Sequence, residues 1–115
     1  MSDVTIYHNP RCSKSRQTLA LIEAASVTPK IVEYLNTPLN APDIQSICSM
    51  LAVTPREMMR TKESIYIENN LHDATDRELI DAMVSYPILM ERPIVVSGDR
   101  AVIGRPPENV HQILG

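Results

Sequence analysis

The chain has 115 residues and a mass of 12.9 kDa, and its 43% of hydrophobic residues can fill a single core. A net charge of -3 and a pI near 5.5 argue against a nucleic-acid binder, which must neutralise many phosphates. No apolar run approaches the roughly 20 residues that span a bilayer, and the N-terminus lacks a signal-peptide pattern. We therefore expect a cytoplasmic protein with neither a nucleic-acid nor a membrane partner.

The first segments predict a βαβ unit. Val4–Tyr7 has the pattern of a short strand, and Ser15–Ala25 places Leu19 and Ile22 at helical spacing. Lys30–Tyr34 follows as a second strand. Because a helix connects the two strands, we expect them to pair in parallel with a right-handed crossover.

The middle of the chain is predicted to be helical. Asp43–Ala52 carries an apolar stripe at positions i, i+3, i+4 and i+7, formed by Ile44, Ile47, Cys48 and Leu51. Thr54–Glu57 and Thr75–Glu78 each have the sequence of a capping box, which satisfies free N–H groups at the start of a helix. The residues expected on these two helices are Met58, Met59 and Arg60 on the first and, buried on the second, Leu79, Ile80, Met83 and Val84.

The last third of the chain predicts a hairpin and a helix. Ile94–Val96 and Ala101–Ile103 flank a Gly-Asp pair, which is typical of a tight β-turn. Pro106 is expected to start a short helix that ends at Leu114. The order is β-α-β, helices, β-β-α, so we predict an α/β fold with a mixed four-stranded sheet. No repeat or linker divides the chain, so we predict one domain over residues 1–115.

One of the two cysteines has the surroundings of a reactive thiol. Cys12 lies between the first strand and the first helix, where free backbone N–H groups and the helix dipole favour an anion. Arg11, Lys14 and Arg16 are close in sequence, and residues 4–22 include no acidic side chain. Such surroundings lower a thiol's pKa and make it nucleophilic at neutral pH.

The sequence indicates neither a second reactive thiol nor a metal site. Ser15 stands three residues after Cys12, and its hydroxyl can bond a thiolate or cap the helix but cannot form a disulfide. Cys48 lies on an apolar helix face, so we interpret it as a buried structural thiol that does not pair with Cys12. The cysteines show no zinc-ligand spacing with the three histidines, so we predict no metal, and His72 and His111 are expected at the surface.

Four segments together resemble a known family. They are His8–Arg16 after a strand, Arg60 on a middle helix, Glu91–Val96 and Gly104–Pro106. In this order, and over nearly the whole chain, they resemble the glutaredoxin-coupled arsenate reductase family. The resemblance implies a thioredoxin-like fold with an inserted helical region. It also implies arsenic detoxification through reduction of arsenate to arsenite, with glutathione as co-substrate and glutaredoxin as partner.

The resemblance implies a role for each matching residue. Cys12 matches the nucleophile, and the arginines that hold the oxyanion match Arg60, Arg92 and Arg105. Guanidinium groups suit a tetrahedral dianion because they form paired hydrogen bonds with its oxygens. Pro93 matches a cis proline that faces the cysteine.

His8 and Ser15 are candidates for tuning the thiolate. In the family that the chain resembles, a histidine at the position of His8 lowers the thiol's pKa. The alternative role for His8 is that of a loop histidine that orders the turn. No bound organic cofactor is expected, because neither the dinucleotide nor the P-loop glycine pattern occurs. We expect a monomer.

Two other functions remain open at this point. One is a thiol-disulfide oxidoreductase of the same superfamily acting on another substrate, such as a glutathione mixed disulfide. The other is a non-enzymatic redox regulator that binds RNA polymerase. Such regulators commonly switch through a C-x-x-C pair, and Ser15 in place of the second cysteine argues against that function.

Overall fold

The computed structural model describes residues 3–114. Backbone contacts divide the chain into two compact units, one formed by Met1–Thr37 with Arg92–Gly115 and the other by Pro38–Glu91. The single domain expected from the sequence stays a prediction. Among the described residues, no helix has both the length and the apolar character needed to cross a membrane.

The first unit contains a four-stranded sheet. Its strands are β1 (Val4–Tyr7), β2 (Lys30–Val32), β3 (Ile94–Ser97) and β4 (Arg100–Ile103), in the order β2-β1-β3-β4. β1 pairs in parallel with β2, whereas β3 runs antiparallel to both β1 and β4. The α/β class and the mixed four-stranded sheet are therefore confirmed.

Helices pack on this sheet and bury its core. α1 spans Ser13–Ala24, and it packs against a short 3-10 helix, Pro107–Val110, that leads into α5 (His111–Leu114). The last helical segment therefore begins one residue later than predicted, after Pro106. Inward-facing side chains of the strands and helices form the cluster Val4, Ile6, Ile22, Val95, Val110 and Ile113. Burial of these apolar groups drives the assembly of the unit.

Local turns and hydrogen bonds determine where the strands end. Ser97 pairs with Arg100 across a two-residue turn, and Gly98 has a φ of 63°, which glycine adopts at no steric cost. The predicted hairpin is therefore confirmed. β2 ends at Val32, earlier than predicted, because the carbonyl of Glu33 accepts the N–H groups of the next turn.

The second unit is helical, as predicted. It contains α2 (Ala41–Leu51), α3 (Ser64–Glu68) and α4 (Asp76–Ser85), and α2 packs against α4. The Thr75 capping box is confirmed, because the Thr75 hydroxyl accepts the N–H of Glu78 at 3.2 Å and the Glu78 carboxylate accepts the N–H of Thr75 at 2.9 Å. The sequence did not single out α3 or the 3-10 helices Leu71–Asp73 and Pro87–Leu89.

Two details of the helical prediction are wrong. The segment after Thr54 forms only a 3-10 helix, Arg56–Met58, because Met59 instead makes an isolated β-bridge with Met90. Arg60 therefore lies outside a helix. On α4, the side chains of Ile80 and Val84 are half-buried rather than buried.

Candidate active site

Cys12 occupies the N-cap of α1. Its backbone is extended, its N–H donates to the carbonyl of Asn9 at 3.0 Å, and its carbonyl accepts the N–H of Arg16 at 3.0 Å. Serine, threonine or aspartate at an N-cap accepts an N–H of the first turn through a side-chain oxygen. Here the capping residue is a cysteine, and the first turn carries no acidic side chain. No side-chain oxygen caps the N–H groups of that turn, and those of Ser15 and Lys14 lower the pKa of the thiol instead.

The surroundings of the Cys12 thiol lower its pKa. Burial raises the pKa of Cys12, but hydrogen bonds from the backbone N–H groups of Ser15 and Lys14, together with the charges of Arg92 and Arg105, outweigh that effect. The net result is a pKa below the ordinary value for cysteine. The side chain is half-buried, so it remains accessible to a reactant.

The charges that lower this pKa come mainly from residues distant in sequence. The sequence alone points to the local cations Arg11, Lys14 and Arg16. In the structure the main electrostatic contributions are those of Arg92 and Arg105, and Lys14 acts through its backbone N–H. The guanidinium of Arg16 instead donates to the carbonyl of Pro10 at 2.9 Å.

The two arginines come from the segments that flank the hairpin. Arg92 precedes β3 and is half-buried, whereas Arg105 follows β4 and is exposed. The Arg92–Pro93 peptide bond is cis, as the resemblance implied, and the Arg105–Pro106 bond is also cis. Within residues 3–114, the buried Nε of Arg92 has no hydrogen-bond partner. It is a donor beside the thiol that an acceptor could satisfy.

His8 and Ser15 form a buried pair under the thiol turn. Nδ1 of His8 lies 2.6 Å from Oγ of Ser15, and that oxygen also accepts the N–H of Asn9 at 3.0 Å. Burial lowers the pKa of His8, against an opposing effect of Glu33, and thus favours the neutral ring. A neutral ring with Nδ1 as acceptor lets the Ser15 hydroxyl donate to it. The hydroxyl therefore orders the turn, while the backbone N–H of Ser15 meets the thiol.

This geometry agrees with the comparisons to known proteins. The model of the ArsC family matches residues 7–113. The chain belongs to the ArsC family.

Similar proteins cover nearly its full length. It is 51% identical over 115 residues to YfgD, an uncharacterized protein of Escherichia coli strain K12, with 97% of each chain covered. It is 48% identical over 114 residues to an arsenate reductase of Haemophilus influenzae, covering 96% of this chain and 98% of that one. The structure of an arsenate reductase from Vibrio cholerae matches with a TM-score of 0.95 at 46% identity and 98% coverage of both chains. The arsenate reductase resemblance and the thioredoxin-like fold are thus confirmed.

The third arginine implied by the resemblance lies in the other unit of this ArsC family member. Arg60 is half-buried within Pro38–Glu91, its guanidinium pairs with Glu63 at 3.0 Å, and its N–H donates to Leu89 at 2.7 Å. Its role in holding an oxyanion stays a prediction.

The remaining cysteine and histidines lie as the sequence predicted. Both cysteines are free thiols, and Cys48 is buried with its sulfur 3.8 Å from that of Met58. Burial, followed by the charge of Asp76, raises the pKa of Cys48. His72 and His111 are exposed. Among residues 3–114, no group of histidine, cysteine and acidic side chains could hold a metal ion.

A cavity that the sequence did not predict lies beside the thiol turn. The cavity has a volume of about 360 Å³ and is lined by residues 8–11 after β1 and by residues 33, 35 and 36 after β2. We call it the β1–β2 pocket. The signal was present in the predicted parallel pairing, because parallel strands end at the same sheet edge. Tyr7 pairs with Val32, so the segments that follow both strands must lie side by side.

Proposed function

We propose that this protein reduces arsenate to arsenite through a covalent adduct on Cys12, with glutathione and glutaredoxin as electron donors. The observation that carries the proposal is the lowered pKa of a half-buried Cys12 beside two arginines. The family membership and the arsenate reductase relative of Haemophilus influenzae support the choice of substrate.

The arginines suit this substrate for an electrostatic reason. Arsenate is a dianion near neutral pH, so it repels an attacking thiolate. Two guanidinium groups offset that repulsion and donate paired hydrogen bonds to a tetrahedral oxyanion. The unpartnered Nε of Arg92 supplies a donor whose burial is costly until an acceptor oxygen meets it.

The proposed reduction uses two external thiols, those of glutathione and glutaredoxin. The Cys12 thiolate forms a sulfur-arsenic bond and water leaves, so arsenic stays pentavalent. Glutathione then forms a second sulfur-arsenic bond with loss of another water. The thiolate of glutaredoxin attacks the glutathione sulfur, and the electron pair of that sulfur-arsenic bond stays on arsenic, which becomes trivalent. Hydrolysis releases arsenite and the Cys12 thiol, leaving a mixed disulfide of glutaredoxin and glutathione.

The roles of Cys12 and its arginines can be tested by coupled turnover. We expect Cys12→Ser to abolish arsenate reduction and Arg92→Ala or Arg105→Ala to lower kcat/KM by about 10²-fold, the usual cost of one oxyanion donor. Arg60→Ala tests the role that the resemblance implies for that arginine. Arg77→Ala, which changes an exposed arginine on α4, is the matched control and should behave as wild type.

The same assay separates the proposal from its alternative. Equal turnover in wild type and Cys12→Ser would refute a covalent adduct on this thiol. A wild-type protein that reduces glutathione mixed disulfides but does not turn over arsenate would establish a different substrate for the same nucleophile. The pH dependence of Cys12 alkylation should show a lowered thiol pKa in either case.

A further inference from the structure

The β1–β2 pocket is lined by the turn that precedes Cys12, and it has features of a ligand site. Its volume of about 360 Å³ falls in the range of small-molecule sites, about 300–1,000 Å³. Arg11 lines it and is the immediate sequence neighbour of the nucleophile. A ligand in the pocket would therefore contact the turn that leads into Cys12.

The pocket presents one charge of each sign. Arg11 and Glu33 are both exposed. Within residues 3–114, the guanidinium of Arg11 has no hydrogen-bond or ion-pair partner, although its backbone N–H donates to Asn9. The carboxylate of Glu33 accepts a long hydrogen bond of 3.4 Å from the side chain of Asn36. Both charges are thus available to groups of opposite charge on a ligand.

The rest of the lining suits a short peptide. Leu35 supplies an apolar wall and is 39% exposed, although a leucine usually buries its side chain. Asn9 and Asn36 add polar side chains that can bond amide groups. A tripeptide spans roughly 10 Å when extended, so a ligand held in the pocket can extend beyond the lining residues toward the turn of Cys12.

We propose that the β1–β2 pocket binds the thiol co-substrate, a zwitterionic peptide thiol of the glutathione class, with Arg11 pairing with a carboxylate and Glu33 with the ammonium group. The inference rests on the proposed function, which requires such a thiol to reach the adduct on Cys12. It adds the site and the charges by which this chain selects that thiol over an uncharged one.

Binding can be measured without any chemistry by using S-methylglutathione, whose sulfur cannot react. His8 lines the pocket, whereas His72 and His111 are exposed outside it. Histidine side-chain NMR signals therefore report where the ligand binds. We expect titration with S-methylglutathione to shift the His8 signal and to leave the other two unchanged.

Charge variants test the two proposed pairings. Exposed ion pairs contribute modestly, so we expect Arg11→Gln and Glu33→Gln each to raise the Kd for S-methylglutathione by about 2- to 5-fold. The N-acetylated ligand lacks the ammonium group, so its Kd should respond to Arg11→Gln and not to Glu33→Gln. Arg100→Gln and Glu68→Gln remove exposed charges outside the pocket and are the matched controls.

The binding and turnover measurements distinguish an error in the proposed pocket from an error in the proposed function. The pocket assignment would be overturned if the His8 signal does not shift on titration, or if both charge variants keep the wild-type Kd for S-methylglutathione. Either result would do so even if glutathione-driven arsenate reduction is intact. Specific binding together with no arsenate turnover would leave the pocket standing and refute the arsenate substrate. Equal sensitivity of both ligands to Glu33→Gln would overturn the assignment of the ammonium group to Glu33.

Discussion

Replacing Gly104 with alanine should destabilise the protein and raise the pKa of Cys12 at the same time. A Cβ at position 104 would lie 2.5 Å from Oγ1 of Thr18 and 2.8 Å from Cγ of Pro93. Thr18 is fully buried on α1, and Pro93 is also buried, so neither side chain can move aside into solvent. The backbone must shift instead.

The cost follows from overpacking a closed site. Extra methyl groups in well-packed cores cost about 1–3 kcal/mol, which corresponds to a fall in Tm of about 4 °C for each kcal/mol. The N–H of Gly104 donates to the carbonyl of Pro93 at 2.9 Å, so the shift reaches the segments that carry both arginines. Because Arg92 and Arg105 help to lower the pKa of Cys12, their displacement should raise it.

Urea unfolding and the pH dependence of Cys12 alkylation measure the two effects. Gly98→Ala is the control: its Cβ meets no atom within 4 Å, but its φ of 63° makes alanine costly by about 1 kcal/mol. That variant should lose stability without a change in the thiol's pKa. In a Thr18→Ala background, where two of the contacting atoms are absent, Gly104→Ala should destabilise less.

Two results would refute the reasoning. If Gly104→Ala stays within about 0.5 kcal/mol of wild type, the site is not closed as described. If it loses stability but Cys12 ionises as in wild type, then Gly104 does not position the arginines.

Three further predictions concern stability. Ala52, the C-cap residue that follows α2, has a φ of 57°, so Ala52→Gly should stabilise the protein by about 1 kcal/mol in urea unfolding; a loss of stability would contradict this. Thr75→Ala removes the hydroxyl of the capping box and should cost about 1 kcal/mol, whereas Thr28→Ala, at an exposed site outside the helices, should cost far less. Because the pKa of Cys12 is lowered, the unfolded chain binds more protons between the folded pKa and the ordinary value of 9.0. The unfolding free energy of wild type minus that of Cys12→Ser should therefore rise with pH through that window and level off above it, and a difference independent of pH would contradict the lowered pKa.

Local patterns predicted the features that depend on neighbouring residues. The turn between β1 and α1, the Gly98 hairpin and the Thr75 capping box each follow from a few consecutive side chains. The helix expected after Thr54 stops after one 3-10 turn because distant residues take the backbone groups on either side of Met59: the N–H of Arg60 donates to the carbonyl of Leu89, and the carbonyl of Met58 accepts the N–H of Glu91. A capping box reports the local preference and carries no information about such a competing pairing.

The charges that act on Cys12 likewise come from residues that are distant in sequence. Basic residues next to Cys12 in sequence suggested a local cluster, yet Arg92 and Arg105 supply the main charge effects. Their link to the cysteine came from the family resemblance. No periodicity within the chain distinguishes them from other charged surface residues.

Strand register explains why these distant groups meet. Tyr7 at the end of β1 pairs with Ile94 at the start of β3, and Ile94 pairs with Ile103 at the end of β4. The residues just beyond these positions therefore share one edge of the sheet with the thiol turn. The two-residue turn at Gly98 sets the pairing of β3 with β4, and a slip of one residue would turn each side chain of β4 to the opposite face. The register of β1, β3 and β4 thus brings the segments that carry Arg92 and Arg105 to the edge of the sheet where the thiol turn lies.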